Sequence, residues 1–377
     1  MVALDPVDLT SRLIACPSIT PHEAGTLTLM TEWLEPMGFE CHHLVSGERP
    51  DGPVENLIAI RKGAGNGPHL AFAGHVDVVP PGEGWDGDPF VPRIEDGQLI
   101  GRGATDMKGA LGAFVAALDG WQQDKGTLSL LITGDEEGPA VHGTRAIVDW
   151  LEERSIGLDY CLIGEPSSQE RLGDTVKNGR RGSVNVWLTL EGHQGHVAYP
   201  QLADNPLPKM ARLVAALDAM ELDEGTDMFQ PSNLEFTAIG GGDGTTNVIP
   251  GKASAQFNIR FNDLQKGEDL VRRIEEMAEE IAPGTKVLAK ISGEAFLTPE
   301  GKLTETLADA IEQEVGIRPR LSTGGGTSDG RFLHKLCPVA EFGLPNATMH
   351  KVGERAAVAD IEKLSMIYRR CLEIFFA

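Results

Sequence analysis

The chain has 377 residues, 41% hydrophobic and 24% charged, which is enough to build more than one ordinary globular core. Its formal net charge of −23 argues against nucleic acid or an anionic membrane as partner, and an anionic substrate would need a local group of basic side chains. Five scattered cysteines, Cys16, Cys41, Cys161, Cys337 and Cys371, include no CxxC pair, so they exclude a disulfide framework or a thiolate zinc site and predict buried reduced thiols.

In chain order, the opening "MVALDPVDLTSRLIACP" lacks a basic segment followed by an apolar one. No later run reaches the roughly 18 apolar residues of a membrane span, so the expectation is a cytoplasmic protein. Strands are predicted at "NLIAI" (56–60), "HLAFAG" (69–74), "TLSLLIT" (127–133), "DYCLIG" (159–164) and "CPVAEFG" (337–343), with helices over 22–37, 107–123 and 141–153 between them. Apolar strands interleaved with helices predict an α/β sheet, largely parallel and covered on both faces. From about 181 the pattern changes. "SVNVWLTLEG" alternates as a half-buried antiparallel strand does, and a helix at 206–221, strands at 233–239 and 254–261, a helix at 267–282 and a strand near 286–291 follow. That order predicts a separate α+β module. The economical organisation is one catalytic domain, 1–180 and 295–377, interrupted by an inserted module, 181–294.

Ligands of open α/β sheets bind outside the carboxyl ends of the strands. There the sequence places His75 and Asp77 in "AFAGHVD", Glu136 and Glu137 in "LLITGDEE", and Glu165 in "CLIGE". His350 follows "VAEFGLPNATM", and Asp106 in "GRGATDMKG" precedes a helix. Two histidines and three carboxylates suit a two-zinc site, each ion taking one His and one terminal Glu and sharing Asp106 and a water, with Co or Mn as substitutes. Asp77 is suited to holding the His75 imidazole. Of the adjacent Glu136 and Glu137, one can bind metal while the other takes a proton from the shared water.

These motifs, in this order, resemble the di-zinc amidohydrolase and exopeptidase family that includes acetylornithine deacetylase, aminoacylases and glutamate-releasing carboxypeptidases. The resemblance implies that His75 and Glu165 hold one zinc and Glu137 and His350 the other, that Asp106 bridges, and that Glu136 is the base. It also implies a cis peptide between Asp106 and Met107.

Further segments, "VKNGRRGS", "GHQGHVAYP", "TNVIPG", "FNIRF", "STGGGTSDGRF" and "NATMHKVGE", are similar to members that hydrolyse N-succinyl-LL-2,6-diaminopimelate to succinate and LL-2,6-diaminopimelate. By that resemblance Lys177, Arg180, Ser183, Tyr199, Asn247, Arg260, Gly326, Thr327 and Asn346 line the substrate pocket, and His196 assists at the scissile carbonyl. The inserted module becomes a dimerisation (lid) domain of a homodimer, with two Zn2+ ions per subunit. Gly324 and Pro345 depart from the expected loops without replacing a ligand. Independently of the resemblance, Lys177, Arg180, Arg181 and Arg260 are cations that a tricarboxylate substrate would need. Deacetylation of acetylornithine and release of a C-terminal residue are the rival activities. A binding protein that had lost catalysis would lack a ligand or the base, and none is missing.

Overall fold

The computed structural model describes residues 4–377, so the first three residues of the opening stretch lie outside it. The chain divides into two compact units. The first comprises the chain up to Gly179, Thr298–Ser322 and Ser328–Ala377; the second comprises Arg180–Leu297 and Thr323–Thr327. The last of these segments was assigned by sequence to the catalytic domain.

The first unit is built on an eight-stranded mixed sheet. Its order is Glu40–Ser46, Val54–Lys62, Lys125–Thr133, Gly65–His75, Tyr160–Ile163, Val339–Glu341, Thr175–Lys177 and Arg320–Ser322. The strands Lys125–Thr133, Gly65–His75, Tyr160–Ile163 and Val339–Glu341 are neighbours and mutually parallel. Their apolar runs are continuous because both faces are covered, yet the period of two is still visible in what each face touches. Leu57, Leu70, Phe72, Leu128, Leu130, Leu162 and Ala340 join one large core with the helices Pro6–Ile14, Thr26–Leu34, Lys108–Leu118, Lys302–Val315 and Val358–Phe375. In that core Phe72 stacks on Phe114 at 3.7 Å between ring centres, and the Tyr368 hydroxyl donates to the carbonyl of Phe342 at 2.6 Å. The alternate residues Ile58, Ala71, Ala73, Leu131, Cys161, Ile163 and Val339 are buried outside it. The helix Thr144–Glu153, with buried Ile147 and Leu151, packs on the sheet outside that core as well.

The second unit is a four-stranded antiparallel sheet in the order Asn233–Gly241, Lys252–Phe261, Gly182–Glu191 and Lys286–Gly293. One face alternates buried residues, Val184, Val186, Leu188 and Leu190 on one strand and Ala253, Ala255, Phe257 and Ile259 on its neighbour. Against that face lie the helices Pro206–Asp218 and Gly267–Ile281, whose buried residues recur at helical spacing: Met210, Leu213 and Leu217, then Leu270, Ile274 and Ala278.

Several elements escape the sequence reading. The helix Pro6–Ile14 is absent from it although Asp5 caps the helix, accepting from the Val7 N–H, and Pro6 opens its first turn. The edge strand Glu40–Ser46 ("ECHHLVS") is polar and nowhere fully buried, so it carries no hydrophobic alternation. All five cysteines are free, but only Cys161, Cys337 and Cys371 are buried; Cys16 and Cys41 are partly exposed.

Candidate functional site

The carboxyl ends of the four parallel neighbours converge on one edge of the first unit's sheet. His75 is the last residue of its strand, Glu136 and Glu137 follow Lys125–Thr133 by a short turn, and Glu165 follows Tyr160–Ile163 after a single glycine. His350 comes back on the loop after Val339–Glu341 with φ of 61°, a left-handed conformation uncommon for a residue with a side chain. Asp106 ends a series of turns, and its peptide bond to Met107 is cis. The next helix begins at Lys108 with no side-chain cap, so Asp106 is not spent as a helix cap.

Two glycines make room for this arrangement. A methyl group on Gly74 would lie 2.4 Å from the Met107 terminal carbon, and one on Gly164 would lie 2.6 Å from the same atom. Glycine before His75 and Glu165 thus leaves room for the Met107 side chain, next to Asp106, to pack beneath the sheet edge, and a larger residue at either position would displace it.

The carboxylate of Asp106 is shared between two histidines. His75 Nε2 lies 3.1 Å from Oδ1, and His350 Nε2 lies 3.3 Å from Oδ2. Glu165 Oε1 is 3.7 Å from His75 Nε2, and Glu137 Oε1 is 2.9 Å from His350 Nε2. The result is two groups of three donor atoms, His75–Asp106–Glu165 and Asp106–Glu137–His350, each with its atoms within 4.8 Å of one another. Nitrogen and carboxylate donors in two triads joined by one carboxylate fit a pair of divalent ions, each open to a further ligand.

Charge in the metal-free cluster is unbalanced, and the proton affinities register it. Burial opposes a charged His75, but the hydrogen bond it donates to Asp106, together with the negative charges of Asp106, Asp77 and Glu165, outweighs it, so that imidazole titrates well above the usual histidine value. Hydrogen bonds to Asp106 and Glu137 push His350 up to about 10. Burial, reinforced by Asp106 and Glu136, holds Glu165 well above the usual carboxylate range.

Asp77 is fully buried, where burial pushes its carboxyl up to about 6. It stands beside the imidazole of His75 and has a further use as well. His75 Nδ1 meets the backbone carbonyl of Asp77 at 2.9 Å, while the carboxylate stands 3.6 Å away. The strand stops at His75, so the two side chains do not share a strand face. The Asp77 carboxylate also accepts the backbone N–H groups of Glu136 at 3.2 Å and Glu137 at 3.0 Å, fixing the turn that carries them. Beside them Asp135 accepts from Val141 and His142 and pins the outgoing loop. The carboxylate of Glu136 itself accepts no hydrogen bond among the described residues, and burial pushes it up to about 8.

The residues expected to bind substrate are divided between the units. Lys177 and Asn346 belong to the first, where Lys177 Nζ approaches Ser322 Oγ at 3.5 Å. Arg180, Ser183, His196, Tyr199, Asn247, Arg260, Gly326 and Thr327 belong to the second. Within it Arg180 donates to the Gly326 carbonyl at 3.0 Å, and Ser183, opposite Arg260 in the sheet, accepts from Asn258. His196 pairs with Val248 in a two-stranded ribbon and is exposed, as is Tyr199. Sequence reasoning assigned no role to Arg102, Asp329 or Glu354, all buried around the ligands. All three stood inside quoted motifs, and a buried charged residue has no signature in a single sequence.

A parallel sheet with two triads of metal ligands at its carboxyl edge defines a hydrolase of the dinuclear type, and comparison with known proteins agrees. Residues 71–374 match the model of "Peptidase family M20/M25/M40", and the chain belongs to that family of metal-dependent hydrolases. It is 59% identical to the succinyl-diaminopimelate desuccinylase of Zymomonas mobilis over 99% of both chains. Among solved structures it resembles an M20 metallo-carboxypeptidase from Sulfolobus solfataricus, with a TM-score of 0.81 at 17% identity over 99% of each chain. A dinuclear metal-binding M20 peptidase from Bacillus subtilis superposes with a TM-score of 0.74 at 16% identity, covering 98% of this chain and 97% of that one.

Proposed function

We propose that the chain hydrolyses N-succinyl-LL-2,6-diaminopimelate to succinate and LL-2,6-diaminopimelate with two zinc ions per subunit. The observation that carries this reading is the 59% identity over essentially the whole chain to a protein named for that reaction. His75 and Glu165 would hold one ion, Glu137 and His350 the other, and Asp106 both. When bound, divalent ions there would supply Lewis acidity, lowering the pKa of a coordinated water and polarising the scissile carbonyl.

The chain's own residues do the rest. Glu136 takes a proton from the attacking water, for which its carboxylate, without hydrogen-bond partners, is available. Burial raises that carboxyl to about 8 even with His75 and Arg331 nearby, and the positive charge of bound ions would favour its ionised form. As the amide C–N bond breaks, Glu136 returns the proton to the departing amine. Asp77 keeps Glu136 and Glu137 in register by holding their backbone N–H groups. Lys177, Arg180 and Arg260 bind the substrate carboxylates, with Ser183, Tyr199, Asn247, Gly326, Thr327 and Asn346 completing the pocket, and Arg180 is suited to a bidentate grip.

The chain works as a homodimer through the second unit, with His196 donating to the developing oxyanion. An exposed edge supports the dimer: Asn233–Gly241 ends the second unit's sheet, largely uncovered, and its Ile239 is 61% exposed. We assign the reaction to the cytoplasm as part of this proposal; no described helix is long and apolar enough to cross a membrane.

The test is turnover by the zinc-loaded protein of succinyl-diaminopimelate against acetylornithine. The succinylated substrate should be strongly preferred. Equal or faster deacetylation of acetylornithine would assign the chain to the sibling activity.

A further inference from the structure

Next to the ligand cluster lies a buried ion pair that has no part in the chemistry above. Arg102 and Glu354 are 1% and 0% exposed, and Arg102 Nη1 meets Glu354 Oε2 at 2.7 Å. Sheet register brings them together. Arg355–Ala357 pairs antiparallel with Gln98–Ile100, Arg355 opposite Ile100, so Glu354 falls beside the start of the turns that lead to Asp106. The Gly101 N–H donates to the Glu354 carbonyl at 3.0 Å.

The side chain of Glu354 then grips the rest of that segment. Oε2 accepts from Arg102 Nη1 at 2.7 Å and from the Gly103 N–H at 3.1 Å, while Oε1 accepts from the N–H groups of Thr105 at 2.9 Å and Asp106 at 3.1 Å. An ionised carboxylate only accepts, at about four sites, and all four are occupied. The same segment also holds the loop of the second histidine. Thr105 and Thr348 both donate their hydroxyls to the Arg355 carbonyl, at 2.9 and 2.7 Å, and Arg102 Nη1 reaches the carbonyl of Lys351, next to His350.

We propose that Glu354, held by Arg102, is a positioning residue that sets Asp106 between the two metal positions and so governs both at once. The proposal rests on the reading of Asp106 as the shared ligand. A buried ion pair is a weak source of stability compared with apolar packing of the same volume. Here it has a more specific use. A carboxylate that serves two ions has to be correct for both, and the backbone N–H that anchors it is held by Glu354. Outer groups that orient a ligand characteristically change metal affinity by about 10–100-fold when removed.

The experiment titrates zinc into metal-stripped wild type, Glu354→Gln, Glu354→Asp and His350→Ala by calorimetry, and records the visible spectrum of each cobalt-loaded protein. In Glu354→Gln, whichever oxygen becomes the amide turns a donor toward two N–H groups. Affinity for both ions should fall by roughly 10–100-fold and the cobalt bands should shift. His350→Ala should lose one ion only, and Glu354→Asp, which keeps the charge, should recover part of the affinity. A Glu354→Gln protein that melts lower but binds both ions with wild-type affinity and spectrum has lost only stability, and overturns the proposal. Should that variant not fold, wild-type affinity and spectrum in Glu354→Asp overturn it equally. If the wild type takes up fewer than two ions, or Asp106→Asn binds both as the wild type does, it is the shared-ligand reading that fails.

Discussion

Glu136 and Glu137 are neighbours in sequence with opposite surroundings. The Glu137 carboxylate is 2.9 Å from His350, whereas that of Glu136 accepts no hydrogen bond among the described residues. The two amides should therefore fail differently. Glu136→Gln is expected to keep both zinc ions while turnover collapses by about 10²-fold or more, the scale of a lost general base. Glu137→Gln is expected to approach one zinc per chain. Elemental analysis beside steady-state rates checks this, and equal zinc loss in both would refute the division. The histidines make a second prediction. Both titrate above the usual histidine value, His350 at about 10, and a metal requires the neutral imidazole. Zinc binding to the stripped protein should thus expel protons at pH 7, and apparent affinity should rise as pH rises from 7 towards 10. Calorimetry in buffers of different ionisation enthalpy measures the protons directly.

Strands and helices divide the work between the units. In the first, four parallel strands bring residues from distant stretches of sequence to one edge, and the turns after them hold the chemistry. In the second, alternation buries one face of the sheet under two helices. Ile274, fully buried on the helix Gly267–Ile281, belongs to that second core alone. Ile274→Ala should cost about 2–5 kcal/mol, seen as an earlier unfolding transition of the second unit, while zinc stoichiometry in the first unit stays at the wild-type value. Denaturation followed with and without zinc distinguishes the two, because the metal stabilises only the folded unit that binds it. Zinc loss on Ile274→Ala would mean that the metal ligands depend on the second unit's core.

At the scale of the whole molecule, His196 lies in the second unit and every candidate metal ligand in the first. If the dimer exchanges that histidine between copies, His196→Ala and Glu136→Ala homodimers are each impaired, and mixing them restores activity. Random exchange makes half the dimers mixed, each with one intact site, so about a quarter of wild-type activity should return. Mixing followed by activity and by native mass measurement tests this. Verified exchange without recovery would place His196 at its own chain's site.

The sequence by itself determined the fold class, the inserted α+β module and the residues of the candidate ligand set, because each leaves a local mark. Periodicity two and apolar runs mark strands such as "TLSLLIT", helical spacing marks Leu270, Ile274 and Ala278, and the ligand types stand at strand ends. Polar or weakly patterned elements, the strand Glu40–Ser46 above all, left no such mark. Only the tertiary structure decided how the pieces meet. It split the two oxygens of Asp106 between His75 and His350, and it gave Asp77, beside the His75 imidazole, the further task of anchoring the Glu136–Glu137 turn. It also brought Glu354 to the segment of Asp106, 248 residues away in sequence. Such contacts follow from sheet register and loop closure across long separations, which no window of neighbouring residues contains.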